Sequence, residues 1–233
     1  MANSFRFKQF VVENERSAMK VGTDGVLLGA WVPLDGKERR ILDVGTGTGV
    51  IALMLTQRNP YTTVIGIDID NLSVEEAEYN FKASPWSDRL TAVHSDFRSF
   101  AEKGFDLVVS NPPFFINSLK APSQRRSAAR HNDTLSQDDL IDGSFNLLSE
   151  KGRLAVVLPS DEGALFIEKC REHGLYLSRI CKVSTKPGAS PKRYLMEFQK
   201  NNERLIEETL IIQDSEGYTG EYRKLTGDFY LAF

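Results

Sequence analysis

The chain has 233 residues, enough for one domain with a substantial core, and its 41% apolar content is ordinary for a globular protein. No run approaches the roughly eighteen apolar residues of a membrane span, and the first twelve residues lack the apolar stretch and small-residue cleavage site of a secretory signal, so a cytoplasmic location is expected. The formal charge of −3 argues against a nucleic-acid partner only until its distribution is read: no acid lies between Asp106 and Asp133, or between Glu172 and Glu197, and both stretches are basic.

Residues 1–40 read as an N-terminal extension or lid. Within them Met19-Lys-Val-Gly-Thr-Asp-Gly25 precedes a short apolar helix over 26–32 and is placed to cover a ligand, with Lys20 and Thr23 as candidate contacts; Thr23 or Asp24 would serve equally as a plain N-cap. From 41 to 200 short apolar runs alternate with helical patterns, which indicates an α/β fold with helices on both faces of a parallel sheet. Strands are expected over 41–44, 64–68, 90–94, 105–110, 153–158, 176–183 and 194–199, with continuous apolar runs where both faces are buried. A helix over 50–57 is stopped by Pro60. Ser73-Val-Glu-Glu76 reads as a capping box, with Val74, Ala77 and Phe81 on one helix face behind it. Ser136-Gln-Asp-Asp139 opens a further helix, and 161–173 gives the last, ended by Gly174. Residues 184–193 are too few for a crossover helix, so the last two strands must be antiparallel neighbours. The expected sheet is seven-stranded and mostly parallel, with one antiparallel terminal strand. Residues 201–233 read as a packed C-terminal extension in which 208–213 could add a strand. Cys170 and Cys181 fall in helix and strand patterns as buried thiols, and His94, His131 and His173 lack ligand spacing, so no protein-held metal is expected.

Chemistry concentrates at the strand ends. In Asp43-Val-Gly-Thr-Gly-Thr-Gly49, the glycines Gly45, Gly47 and Gly49 let the backbone turn tightly and approach a ligand at a helix N-terminus. The spacing is not the dinucleotide G-x-G-x-x-G, and Asp43 would repel a pyrophosphate while suiting a ligand with an amino group and a sulfonium. Asp68, some twenty residues on, ends the second strand where ribose hydroxyls would lie, with Asp70 as a turn or cap residue. Asp96 ends the third, placed for an adenine amino group; a loop-capping carboxylate is the plain alternative at each.

Asn111-Pro-Pro-Phe114 directly follows the fourth strand. Its prolines remove two N–H donors, so the Asn111 side-chain oxygen and the Pro112 carbonyl can both accept from a planar NH2 group. A nitrogen attacking a sulfonium methyl becomes tetrahedral and gains positive charge, so fixed acceptors favour the transition state over the ground state. Phe114 offers a face for a stacked base, with Phe115 beside it. Lys120, Arg125, Arg126, Arg130 and His131, together with Lys186, Lys192 and Arg193, are candidate substrate contacts on one edge of the sheet.

The glycine loop, the strand-end aspartates and N-P-P-F resemble those of class I N6-adenine methyltransferases, which have a Rossmann-like fold. Taken with Phe7-Lys-Gln-Phe10, Lys20-Val-Gly-Thr-Asp24, Asn111-Pro-Pro-Phe-Phe115 and Ala129-Arg-His131, the resemblance covers nearly the whole chain and is to the bacterial tRNA (adenine-N6)-methyltransferases that modify the purine beside the anticodon of a valine tRNA. It implies S-adenosyl-L-methionine as cofactor and Asp43, Gly45, Asp68, Asp96 and Asn111 at the site. It also implies tRNA as partner, methylated at adenine N6 at position 37, with neither a membrane nor an obligate protein partner. Two other readings stay open. A release-factor glutamine N5-methyltransferase also presents N-P-P before an aromatic, though it favours tyrosine there and carries a separate helical domain. A non-catalytic RNA-binding protein on the same fold is disfavoured by the intact Asn111 and Asp68.

Overall fold

The apolar runs of the sequence become buried strands of one sheet in the computed structural model, which describes residues 4–113 and 135–232. A hairpin of β1 (Ser4–Arg6) and β2 (Val11–Glu13) leads into helix α1 (Thr23–Trp31). The units β3 (Arg40–Val44), α2 (Val50–Arg58), β4 (Thr63–Asp68), α3 (Asn71–Ala83) and β5 (Leu90–His94) come next. After β6 (Phe105–Ser110) come α4 (Gln137–Leu147), β7 (Leu148–Pro159), α5 (Ser160–Glu172), β8 (Tyr176–Ser184), β9 (Arg193–Gln199) and β10 (Ile206–Ile211). A short hairpin and α6 (Gly220–Thr226) complete the described chain.

The sheet has eight strands in the order β10-β8-β9-β7-β6-β3-β4-β5. Its strands are parallel except β9, which runs antiparallel to both β7 and β8 because residues 185–192 only turn the chain back. The eighth strand, β10, comes from the C-terminal segment and extends the edge parallel to β8. Chain order reverses between β3 and β6, which pair side by side, so the carboxyl ends of these two strands form a switch point where a crevice opens.

Apolar side chains fill both faces. Helices α1, α2 and α3 supply Leu27, Leu28, Leu53, Met54, Ala77 and Phe81 to one cluster, and α4 and α5 supply Leu140, Ile141, Phe166 and Cys170 to the other. Each fully buried Leu, Ile or Phe contributes about 1.5–3 kcal/mol of transfer free energy.

Two helix starts differ from the sequence expectation. Asp70, not Ser73, caps α3: its carboxylate accepts from Ser73 N at 3.1 Å and Ser73 Oγ at 2.8 Å, so the helix begins three residues early. Helix α1 starts at Thr23 behind Gly22, with no side-chain cap, because Asp24 turns to Arg193 instead (Nε–Oδ2 2.7 Å). The helix expected to open at Ser136 does so, and the structure shows a capping box between Ser136 and Asp139. Among the described residues no helix is long and apolar enough to cross a membrane.

Candidate active site

The switch point is drawn together by hydrogen bonds between strand ends. Ser110 Oγ at the end of β6 donates to the Val44 carbonyl at 2.8 Å, and the N–H groups of Gly45 and Thr46 both donate to Ile67 O at 2.9 Å. Gly47 and Gly49 hold the left-handed region, with φ of 55° and 80°. At Gly49 a Cβ would sit 2.4 Å from the Phe81 ring, so this glycine serves the packing of loop against α3.

A cavity of about 260 Å³ opens beside this loop. Gly45, Gly47 and Asp68 line one side; Ser95, Asp96, Phe97 and Arg98 line it from the end of β5. Asn111, Pro112 and Pro113 close it beyond β6, and Ser17, Ala18 and Met19 wall it from the N-terminal segment. Of the residues nominated from sequence, the cavity therefore gathers Gly45, Gly47, Asp68, Asp96, Asn111 and Pro112. Lys20, Thr23, Asp43 and Gly49 do not line it. Lys20 is exposed, its Nζ on the Glu15 carbonyl, and Thr23 is the first residue of α1. Phe114, Phe115, Lys120, Arg125, Arg126, Arg130 and His131 lie outside the described residues.

The aspartates differ in environment. Asp43 is wholly buried under the loop, where its Oδ2 accepts from Thr46 Oγ1 at 2.8 Å; burial raises its pKa to about 7 against that hydrogen bond. It braces the loop from below. Asp68 accepts from Gly47 N on Oδ2 and from Asp70 N on Oδ1, both at 2.9 Å, and burial raises its pKa. The Ile69 amide is a third backbone donor to this carboxylate, which lines the cavity and keeps acceptor capacity for a ligand there. Asp96 is gripped by Arg98, whose Nε lies 3.0 Å from both oxygens, and this contact lowers its pKa.

Asn111 turns its Nδ2 toward Met19 Sδ at 3.7 Å, which directs the amide oxygen the other way. Helix α1 backs this residue: a Cβ at Gly25 would lie 3.7 Å from Asn111 Nδ2. Lys186 and Lys192 are exposed on the 185–192 turn, at the same carboxyl edge of the sheet, since Pro159 of β7 pairs with Arg193. Arg193 itself is half-buried on Asp24, so much of its charge is met within the chain.

Sequence reasoning missed Ser17, Ala18 and Arg98 as cavity residues. Arg98 carried a signal, an arginine two positions after a strand-end acid; Ser17 and Ala18 carried none. A wider groove of about 520 Å³ between Arg58, β10 and α6 contains none of the glycine-loop residues, and its lining mixes Glu208, Glu221 and Asp228 with Arg58 and Lys224.

A family model described as "Methyltransferase small domain" matches residues 17–167. The chain is 48% identical over 232 residues to a protein of Bacteroides fragilis, covering 97% of each, and 46% identical over 235 residues to one of Bacteroides thetaiotaomicron, covering 99% of each. A third, from Tolumonas auensis, is 40% identical over 98% of this chain and 97% of its own. All three are named tRNA1(Val) (adenine(37)-N6)-methyltransferase. Among solved structures, a predicted O-methyltransferase of Agrobacterium tumefaciens superposes with a TM-score of 0.71 over 88% of this chain and 96% of that one at 19% identity. A methyltransferase of Pyrococcus furiosus gives 0.58 over 82% and 89% at 21% identity. These two likenesses concern the fold alone.

Proposed function

The chain belongs to the family of the tRNA1(Val) (adenine(37)-N6)-methyltransferases and carries their methyltransferase domain, and from that premise we propose that it methylates N6 of adenine 37 in a valine tRNA, using S-adenosylmethionine bound in the glycine-loop cavity. One observation carries the reading: the cavity that has Gly47 and Asp68 on one side has Asn111 and Pro112 on the other, so a cofactor site and an amino-group acceptor site are continuous.

The residues suit such a cofactor. Asp68 offers a part-buried carboxylate as acceptor for the ribose, Asp96 lies at the end of β5 for an adenine amino group, and Val44, Ile67 and Phe97 give apolar walls. S-adenosylmethionine supplies the electrophilic methyl group. The protein's own part is to hold the acceptor nitrogen. Asn111 Oδ1 and the Pro112 carbonyl accept hydrogen bonds from its two N–H groups and stabilise the positive charge that develops as the N–CH3 bond forms and the S–CH3 bond breaks; the cationic amine then loses one proton to water. Phe114 supplies a stacking face for the base, worth about 1–3 kcal/mol. Residues 1–40 act in this reading as the wall and lid over residues 41–200, and 201–233 as the packed extension. The work is done in the cytosol.

Glutamine methylation would present a similar planar amide to the same acceptors, but the exposed Lys186 and Lys192 at this edge favour a polyanion. RNA affinity should therefore fall with salt by about 0.7 log units per log unit of salt for each single-strand phosphate contact. A double Lys186→Ala, Lys192→Ala variant should flatten that slope by about 0.7 per lost contact and spare cofactor binding. Filter-binding titrations at several salt concentrations check this; a slope equal to wild type would take these lysines off the RNA path.

A further inference from the structure

The cavity wall formed by Ser17, Ala18 and Met19 lies in the irregular segment 14–22, between β2 and α1, and is held from behind by α3. Glu76, only 3% exposed, turns its carboxylate onto three consecutive backbone amides of that segment. The N–H groups of Glu15 and Arg16 donate to Oε1 at 2.6 and 2.8 Å, and that of Ser17 donates to Oε2 at 2.8 Å. Asn80 continues the seam, accepting from Glu13 N at 2.8 Å and donating to the Glu13 and Thr48 carbonyls. On the cavity side, Ser17 Oγ donates to Met19 O at 3.1 Å, lies 3.1 Å from Ser73 Oγ, and stands 3.4 Å from where a Cβ on Gly47 would be. Met19 Sδ faces Asn111 Nδ2. A continuous path thus runs from Glu76 through Ser17 and Met19 to the glycine loop and Asn111.

We propose that Glu76 is a positioning residue for the cofactor cavity, fixing Ser17, Ala18 and Met19 against Gly47 and Asn111 through the amides of residues 15–17. The inference rests on the proposed function, since it assigns the wall to S-adenosylmethionine. A buried carboxylate that accepts three amides in a row sets the path of the backbone as well as satisfying its own lone pairs. Losing it leaves three donors without their acceptor, and the wall loses its anchor.

Glu76→Gln keeps the size of the side chain, but either orientation of the amide sets an NH2 against a backbone N–H, so the clamp opens at one end. Calorimetry with S-adenosylmethionine and steady-state methylation of a valine tRNA transcript are run on the same proteins. If wild type binds no S-adenosylmethionine, the proposed function itself fails. With wild type binding, Glu76→Gln should weaken S-adenosylmethionine by roughly tenfold or more and raise its KM, while the KM for RNA stays unchanged. The amides of residues 15–17 should also exchange hydrogen faster. Simple loss of folded protein would instead lower kcat with both KM values unchanged, and that result overturns the inference. Should Glu76→Gln not fold, Ser17→Ala decides: it removes the hydroxyl on the cavity side and leaves the buried carboxylate in place. A several-fold loss of S-adenosylmethionine affinity supports the inference, and wild-type affinity overturns it.

Discussion

Replacing Asn111 with alanine should lower turnover by about 10²–10³-fold while S-adenosylmethionine binds almost as tightly as before, the usual consequence of removing one preorganised contact to developing charge. The position of Asn111 is fixed before substrate arrives. The Ser110 hydroxyl ties the end of β6 to Val44, Pro112 and Pro113 stiffen the backbone on its C-terminal side, and α1 lies against the amide at Gly25. The alanine variant keeps all three constraints and deletes only the acceptor. Single-turnover methylation of RNA beside calorimetric titration of cofactor separates chemistry from binding. If turnover falls only as far as cofactor affinity does, Asn111 belongs to the cofactor pocket and has no part in the transfer.

Asp68→Ala should act on the other half of the site. Its carboxylate faces the cavity and also accepts the N–H groups of Gly47 and Asp70. Alanine therefore removes a ligand contact and a brace of the loop together. The expected cost is about 1.5–3 kcal/mol for each hydrogen bond to the charged group, or roughly ten- to hundredfold in Kd for one such contact. Asp68→Asn keeps one acceptor oxygen and should fall between wild type and alanine. Unchanged cofactor affinity in Asp68→Ala would remove this residue from the binding site.

What the sequence made legible was local. Strands β3 to β6 are short apolar runs between turn residues, and the glycine loop and Asn111-Pro-Pro sit at their ends, so register alone brings them to one edge. The α3 boundary shows where local pattern runs out. Asp70-Asn-Leu-Ser73 and Ser73-Val-Glu-Glu76 both fit a cap with a partner three residues on, and the first prevails because Glu76 is engaged elsewhere. Its partners are backbone amides, which every residue but proline carries, up to 61 positions away, so no residue type marked the contact. For the same reason Ser17 and Ala18 stayed hidden as part of the cavity. The eighth strand was indistinct because it pairs at an edge, with Ile206 more than half exposed and no continuous apolar run to announce it.

The central claim is that the acceptor is the exocyclic nitrogen of an adenine beside the anticodon. The most direct measurement incubates the purified chain with S-adenosylmethionine, a valine tRNA transcript and, in a parallel reaction, a release-factor peptide carrying glutamine. Nuclease and protease digests are then resolved by mass spectrometry. The account expects one methyl group per tRNA, recovered as N6-methyladenosine from position 37, with an adenine-to-guanine transcript at that position left unmodified and the peptide untouched. Methylated glutamine with unmodified tRNA, or a methyl group on any other atom of the RNA, would contradict it.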